Sequence, residues 1–117
     1  MSESIKITAF NNILRELVYF LSLKFPSNNS IKNYEFKLNV AITGSPSFVR
    51  DMFKTYVLPY KDQINNCNEK FFLKEFGNLF GKDNEFIDFN NIWVHPDNDK
   101  LCKARIFQYF IKLIKVC

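Results

Sequence analysis

The residues best suited to chemistry in this sequence are one histidine, His95, and three cysteines, Cys67, Cys102 and Cys117. A histidine can act as a general base and a thiolate as a nucleophile, so such a pair would suit covalent catalysis. His95 stands directly before a proline, with no cysteine and no acidic cluster beside it in the sequence. This position favours a structural connector between helices. An enzyme with a hidden Cys–His site stays the remote alternative.

The cysteines also bear on metal binding and on location. Their number is odd, and no two of them have Cys-x-x-Cys spacing. A disulfide framework and a zinc site are therefore both disfavoured. Reduced thiols are the simpler interpretation, and they indicate an intracellular, reducing location.

Two other kinds of site are disfavoured by residue spacing. Asp83, Glu85 and Asp88 lie close together, but they lack the set of oxygen ligands and the closing glutamate of a calcium loop. The chain has only three glycines, too few for a glycine-rich phosphate loop. We therefore predict no catalytic residues, no metal and no cofactor, and a protein that is not an enzyme.

The charged residues permit a role in binding phosphates. The formal net charge is +4, and the basic residues are scattered along the chain. Lysines and arginines give sequence-independent affinity for the DNA backbone. The opposing interpretation is a solvated lysine surface that keeps an apolar protein soluble. The candidate nucleic-acid-binding residues are Lys61, Lys70, Lys74, Arg105, Lys112 and Lys115.

Helices are expected to position these residues, because apolar side chains recur every three or four positions. The first helix is predicted after Thr8 as its N-cap, which leaves residues 1–8 as a flexible tail. Residues 34–38 also alternate like a strand, but helix is preferred because the neighbouring segments are helical. Ser45 and Asp97 are the predicted N-caps of two later helices. The predicted helices are residues 10–24, 30–42, 45–57, 68–79, 85–93 and 97–117, with a short turn of helix over 60–65.

The expected fold class is all-α, a compact single-domain bundle of five to six helices over residues 1–117 with a buried, amphipathic C-terminal helix. Fourteen phenylalanines should fill its core. The C-terminal helix is apolar around more than half its circumference, so it must lie in the core or pack against a partner. Burial in the core is the preferred alternative, because several other phenylalanine-rich faces need a partner within the fold. The candidate interface residues are Phe107, Phe110, Ile111 and Ile114.

These features predict a non-enzymatic interaction domain that forms a homo-oligomer, with a homodimer as its simplest form. The alternative function is a DNA-associated protein that contacts phosphates through dispersed lysines. No membrane partner is expected, because no apolar run approaches the length of a membrane span.

Four short segments also carry a resemblance to a known group of proteins. They are residues 10–14 (FNNIL), 24–26 (KFP), 57–64 (VLPYKDQI, followed by Glu69 and Phe71-Phe72) and 107–110 (FQYF). With these segments the chain resembles small helical proteins of large nucleocytoplasmic (giant) DNA viruses. The resemblance implies a viral protein of the virion or of a replication factory, located in the virion or the host cytoplasm. It implies no catalytic residues.

Overall fold

Five α-helices and one turn of 3-10 helix make up most of the described chain. The computed structural model describes residues 2–69 and 92–117, and it contains no strand within these ranges. The elements are α1 (Glu3–Lys24), α2 (Asn29–Gly44), α3 (Phe48–Tyr56), a 3-10 turn (Leu58–Tyr60), α4 (Lys61–Asn65) and α5 (Lys100–Val116). The predicted all-α bundle is confirmed. The helices predicted over 68–79 and 85–93 fall outside the described residues, apart from the ends at 68–69 and 92–93.

The N-cap of the first helix lies six residues before Thr8, its predicted position. Ser2 is the N-cap, and its hydroxyl accepts a hydrogen bond from the Ile5 amide at 3.3 Å. Glu3 follows in the first turn, where a negative charge suits the helix dipole. The prediction of a flexible tail over residues 1–8 is therefore wrong for the described residues of that range. Thr8 lies inside the helix, and its hydroxyl donates to the Ser4 carbonyl at 3.1 Å.

The second helix resolves the choice between helix and strand. Asn28 caps α2 by accepting a hydrogen bond from the Ile31 amide at 3.2 Å. Tyr34 and Leu38, four residues apart, are both buried, whereas Phe36 is exposed. This four-residue repeat is helical, and the helical prediction is confirmed.

The predicted N-caps of the third and the last helix are also corrected. The third helix begins at Phe48, after a turn in which the Phe48 amide donates to the Ser45 carbonyl at 3.0 Å. Asn11 of α1 holds this turn, because its side-chain amide donates to the Pro46 carbonyl at 2.9 Å. The last helix is capped by Asp99 instead of Asp97, through a 2.9 Å bond from the Cys102 amide.

The C-terminal helix α5 packs against α1 and contributes buried residues to the core. Among the described elements, α1 packs most extensively against α5 and next against α2. Phe110 of α5 stacks on Phe53 of α3, with ring centroids 6.3 Å apart, and Phe53 meets the edge of Phe10 at 5.2 Å. The buried residues of α5 are Cys102, Ile106, Phe107, Phe110 and Leu113. The predicted burial of this helix is confirmed.

Candidate functional site

His95 lies in the connection that leads into α5, where it contacts this connection and the end of α1. Its Nδ1 accepts a hydrogen bond from the Asp97 amide at 3.0 Å, and its ring meets the edge of Phe25 at 5.1 Å. Asn98, two positions before α5 begins, is buried and donates to the Trp93 carbonyl at 3.0 Å. These contacts order the connector and fix the approach of the chain to the α5 N-terminus.

The three cysteines lie in different environments, and all three are free thiols. Cys67 is exposed, Cys102 is buried and Cys117 is half-buried. Burial raises the pKa of the Cys102 and Cys117 thiols, which favours the protonated, less nucleophilic form. Within residues 2–69 and 92–117, no hydrogen bond joins His95 to a cysteine.

In the part of the chain that the structure describes, no three His, Cys, Asp or Glu side chains come together as a metal-binding group. None of the helices within residues 2–69 and 92–117 combines the length and the hydrophobicity needed to cross a membrane.

The predicted interface residues of α5 divide into two groups. Phe107 and Phe110 are buried in the core, and Phe107 meets the edge of Trp93 at 5.5 Å. They are therefore corrected to core residues, because no partner can reach them without unfolding the bundle. Ile111 and Ile114 are half-buried and pack against the core with part of their surface.

The predicted nucleic-acid-binding residues are only partly brought together. Lys70 and Lys74 lie outside the described residues, and Lys61 begins the short helix α4. The remaining three, Arg105, Lys112 and Lys115, are all exposed on α5. Their spacing of seven and three residues places them along one side of that helix.

The basic side of α5 contains a groove of about 270 Å³, which we call the α5 groove. It is lined by Arg105, Gln108, Tyr109 and Lys112. Arg105 lies over the ring of Phe20 with its guanidinium carbon 5.0 Å from the ring centroid, and Lys112 lies over Tyr109 at 5.6 Å. The two rings are themselves neighbours, 6.0 Å apart. Phe20 belongs to α1, so packing of α1 on α5 builds this arrangement.

A second surface was missed by the sequence prediction. Tyr19 and Leu23 share one side of α1, and Phe36 and Val40 share one side of α2, because each pair is four residues apart. Their exposed fractions are 60%, 64%, 72% and 58%. The sequence did contain a signal for this surface. Tyr19 and Leu23 are four residues apart, on the side of the helix opposite its buried positions.

The two pairs belong to two helices, α1 and α2, that pack against each other. Tyr19 lines a groove of about 150 Å³ together with Arg15, Val18, Glu35, Leu38 and Asn39. Arg15 bridges the two helices, because its Nε donates to the Asn39 side-chain oxygen at 3.2 Å. We call the exposed surface formed by Tyr19, Leu23, Phe36 and Val40 the α1–α2 face.

Comparison with protein-family models, with curated proteins and with solved structures finds no match to this chain.

Proposed function

We propose that this protein is a non-enzymatic helical interaction domain, and that it self-associates through the α1–α2 face. The observation that carries the proposal is the exposure of four large apolar side chains on two helices that pack against each other. Exposed apolar residues are ordinary when scattered singly, but a cluster of them is a common mark of an interaction site. Aromatic residues such as Tyr19 and Phe36 are also enriched at protein interfaces.

A second copy of the same chain is the occupant that the charges favour. Arg15 and Glu35 line the same groove from opposite helices. In a two-fold symmetric dimer, each surface patch meets its own copy, so residue i contacts j and j contacts i. A two-fold axis through this groove places Arg15 of each copy opposite Glu35 of the other. We expect the exposed apolar pairs of α1 and α2 to pack against those of the second copy in this dimer.

This proposal moves the predicted interface from α5 to α1 and α2. The physical reason is that α5 uses its aromatic residues inside the bundle, including Phe107 and Phe110. The giant-virus origin, the virion or host-cytoplasm location and the non-enzymatic character stay predictions. The same holds for DNA association through dispersed lysines.

Sedimentation velocity of a charge-substituted pair of variants tests self-association. Phe36→Glu places a charge on the α1–α2 face. Leu101→Glu likewise places a glutamate at an exposed apolar residue, which is 83% exposed in the first turn of α5, a helix that contributes no residue to the face. We expect wild type and Leu101→Glu to dimerise with increasing concentration and Phe36→Glu to stay monomeric.

The size of the expected effect follows from the exposed ring. Full burial of a phenylalanine is worth about 1.5–3 kcal/mol, so burial of the exposed part of Phe36 is worth about 1–2 kcal/mol in each copy. Two rings are lost in a symmetric dimer, and the dissociation constant should rise by about 30-fold to 1,000-fold. A wild-type protein that stays monomeric up to high micromolar concentration refutes the proposal.

A further inference from the structure

We infer that the α5 groove is a phosphate-binding site for the backbone of duplex DNA, with Arg105 and Lys112 as its cations and Gln108 as an additional hydrogen-bond donor. This site is distinct from the α1–α2 face, and the inference does not depend on self-association.

The two cations are held in place before any ligand arrives. Arg105 packs over Phe20, and Lys112 packs over Tyr109. Both rings are half-buried and pack against the core, so they offer fixed platforms. Long basic side chains normally lose much rotamer freedom when they bind a ligand. Cations that already rest on fixed rings lose less of it, which favours binding at this groove over binding at freely moving surface lysines.

The charge of the groove is not balanced by a neighbouring carboxylate in the described structure. Its lining contains no acidic residue. Within residues 2–69 and 92–117, the lysine and arginine ion pairs are those of Arg50 with Glu3 and Asp51, and of Lys103 with Glu69. Arg105 and Lys112 are therefore available for an external anion.

The spacing of the cations fits a polymer of phosphates better than a single phosphate. With a rise of 1.5 Å per residue, Arg105 and Lys112 are separated by about 10 Å along α5, and Lys115 extends the row to about 15 Å. Duplex DNA presents several phosphates over such a length. The planar guanidinium of Arg105 can contact a phosphate through two parallel hydrogen bonds.

The same row is poorly suited to a lipid surface. A helix that lies on a membrane buries an apolar face in the lipid, with its basic residues beside that face. Between Arg105 and Lys115, no large apolar side chain is among the exposed ones of the described structure. The apolar side of α5 is already occupied by the core.

The test compares two double variants that lose the same charge. Arg105→Gln/Lys112→Gln removes the two cations of the groove, and Lys32→Gln/Lys37→Gln removes two exposed lysines of α2. Both lower the formal net charge from +4 by two units. Fluorescence anisotropy of a labelled duplex of about 20 base pairs is titrated between about 50 and 200 mM salt. Circular dichroism verifies that both variants are folded.

The expected result is a change in salt dependence confined to the groove variant. Each lost phosphate contact flattens the slope of log K against log salt by about 0.9, so the groove variant should lose about 1.8 in slope and the α2 variant close to none. The charge-conserving variant Arg105→Lys/Lys112→Arg should keep the wild-type slope.

Three outcomes would overturn the inference. The first is the absence of wild-type binding to the duplex at low salt. The second is an equal loss of slope in the two charge-removing variants, which would indicate a general charge effect. The third is binding to vesicles that contain phosphatidylserine with no binding to the duplex, which would assign the groove to a lipid headgroup.

Discussion

Replacing Phe110 with alanine should destabilise the fold more than the same change at any exposed phenylalanine. Phe110 is fully buried on α5 and stacks on Phe53. A phenylalanine removes about 150–250 Å² from water, which at about 25 cal/mol per Å² gives an upper estimate of about 4–6 kcal/mol. Measured losses for Phe→Ala in protein cores are about 3–5 kcal/mol. We expect Phe110→Ala to lose about that amount.

This loss is large compared with the stability of the whole domain. Domains are stable by about 0.05–0.15 kcal/mol per residue, which for 117 residues corresponds to about 6–17 kcal/mol. Phe110→Ala should therefore remove about a fifth or more of the free energy of unfolding. The midpoint of thermal unfolding should fall by about 10–20 °C.

Urea unfolding monitored by Trp93 fluorescence measures this change. Trp93 is the single tryptophan, is buried, and contacts Phe107 of α5, so its emission reports directly on packing around that helix. Phe36→Ala is the matched control, because it deletes the same ring from an exposed position. It should change the free energy of unfolding by no more than about 0.5 kcal/mol.

The protein concentration must be low enough to keep the chain monomeric, because self-association would add to the apparent stability. The assignment of Phe110 and its helix α5 to the core is refuted if Phe110→Ala loses less than about 1 kcal/mol. It is refuted equally if Phe36→Ala costs as much as Phe110→Ala in the monomer.

Two further predictions concern helix ends and pH. Asp99→Ala should lose about 1 kcal/mol of stability because it removes the N-cap of α5. Asp97→Ala should change stability by less than about 0.5 kcal/mol. Thermal unfolding of both variants decides which of the two residues is the cap. The Arg50 guanidinium lowers the pKa of Glu3 below its ordinary value of 4.5. Because the folded state then binds fewer protons, this contribution is present above pH 4.5 and is lost as the pH falls through the lowered pKa. Glu3→Gln should remove that part of the acid sensitivity, and equal acid unfolding curves for wild type and variant would contradict the assigned pair.

The sequence predicted the bodies of the helices better than their beginnings. Apolar spacing alone places Leu14 and Leu38 on buried helix faces, because burial follows the helical period. The beginnings depend on a choice among several possible caps, and contacts distant in sequence make that choice. Glu3 pairs with Arg50, 47 residues away, which extends α1 toward Ser2. No local pattern reveals such a contact.

The candidate site was predictable only in part, for the same reason. The seven-residue spacing of Arg105 and Lys112 already places them on one side of a helix. The support that they receive from Phe20 depends on how α1 packs against α5, and the sequence does not specify that register. The α1–α2 face likewise depends on the register of α2 against α1. The hydrogen bond between Arg15 and Asn39 shows this register in the folded structure, but the sequence does not specify it.

Sedimentation velocity of charge-reversal variants tests most directly whether the α1–α2 face binds a second copy of itself. Arg15→Glu and Glu35→Arg each place like charges opposite one another in the two-fold dimer, whereas the double variant restores both opposite-charge pairs. Both residues line the groove from different helices, so the exchange leaves the groove charge unchanged. We predict that the two single variants are monomeric and that the double variant dimerises like wild type. Dimerisation of both single variants at the wild-type concentration, or a double variant that stays monomeric, would contradict this account.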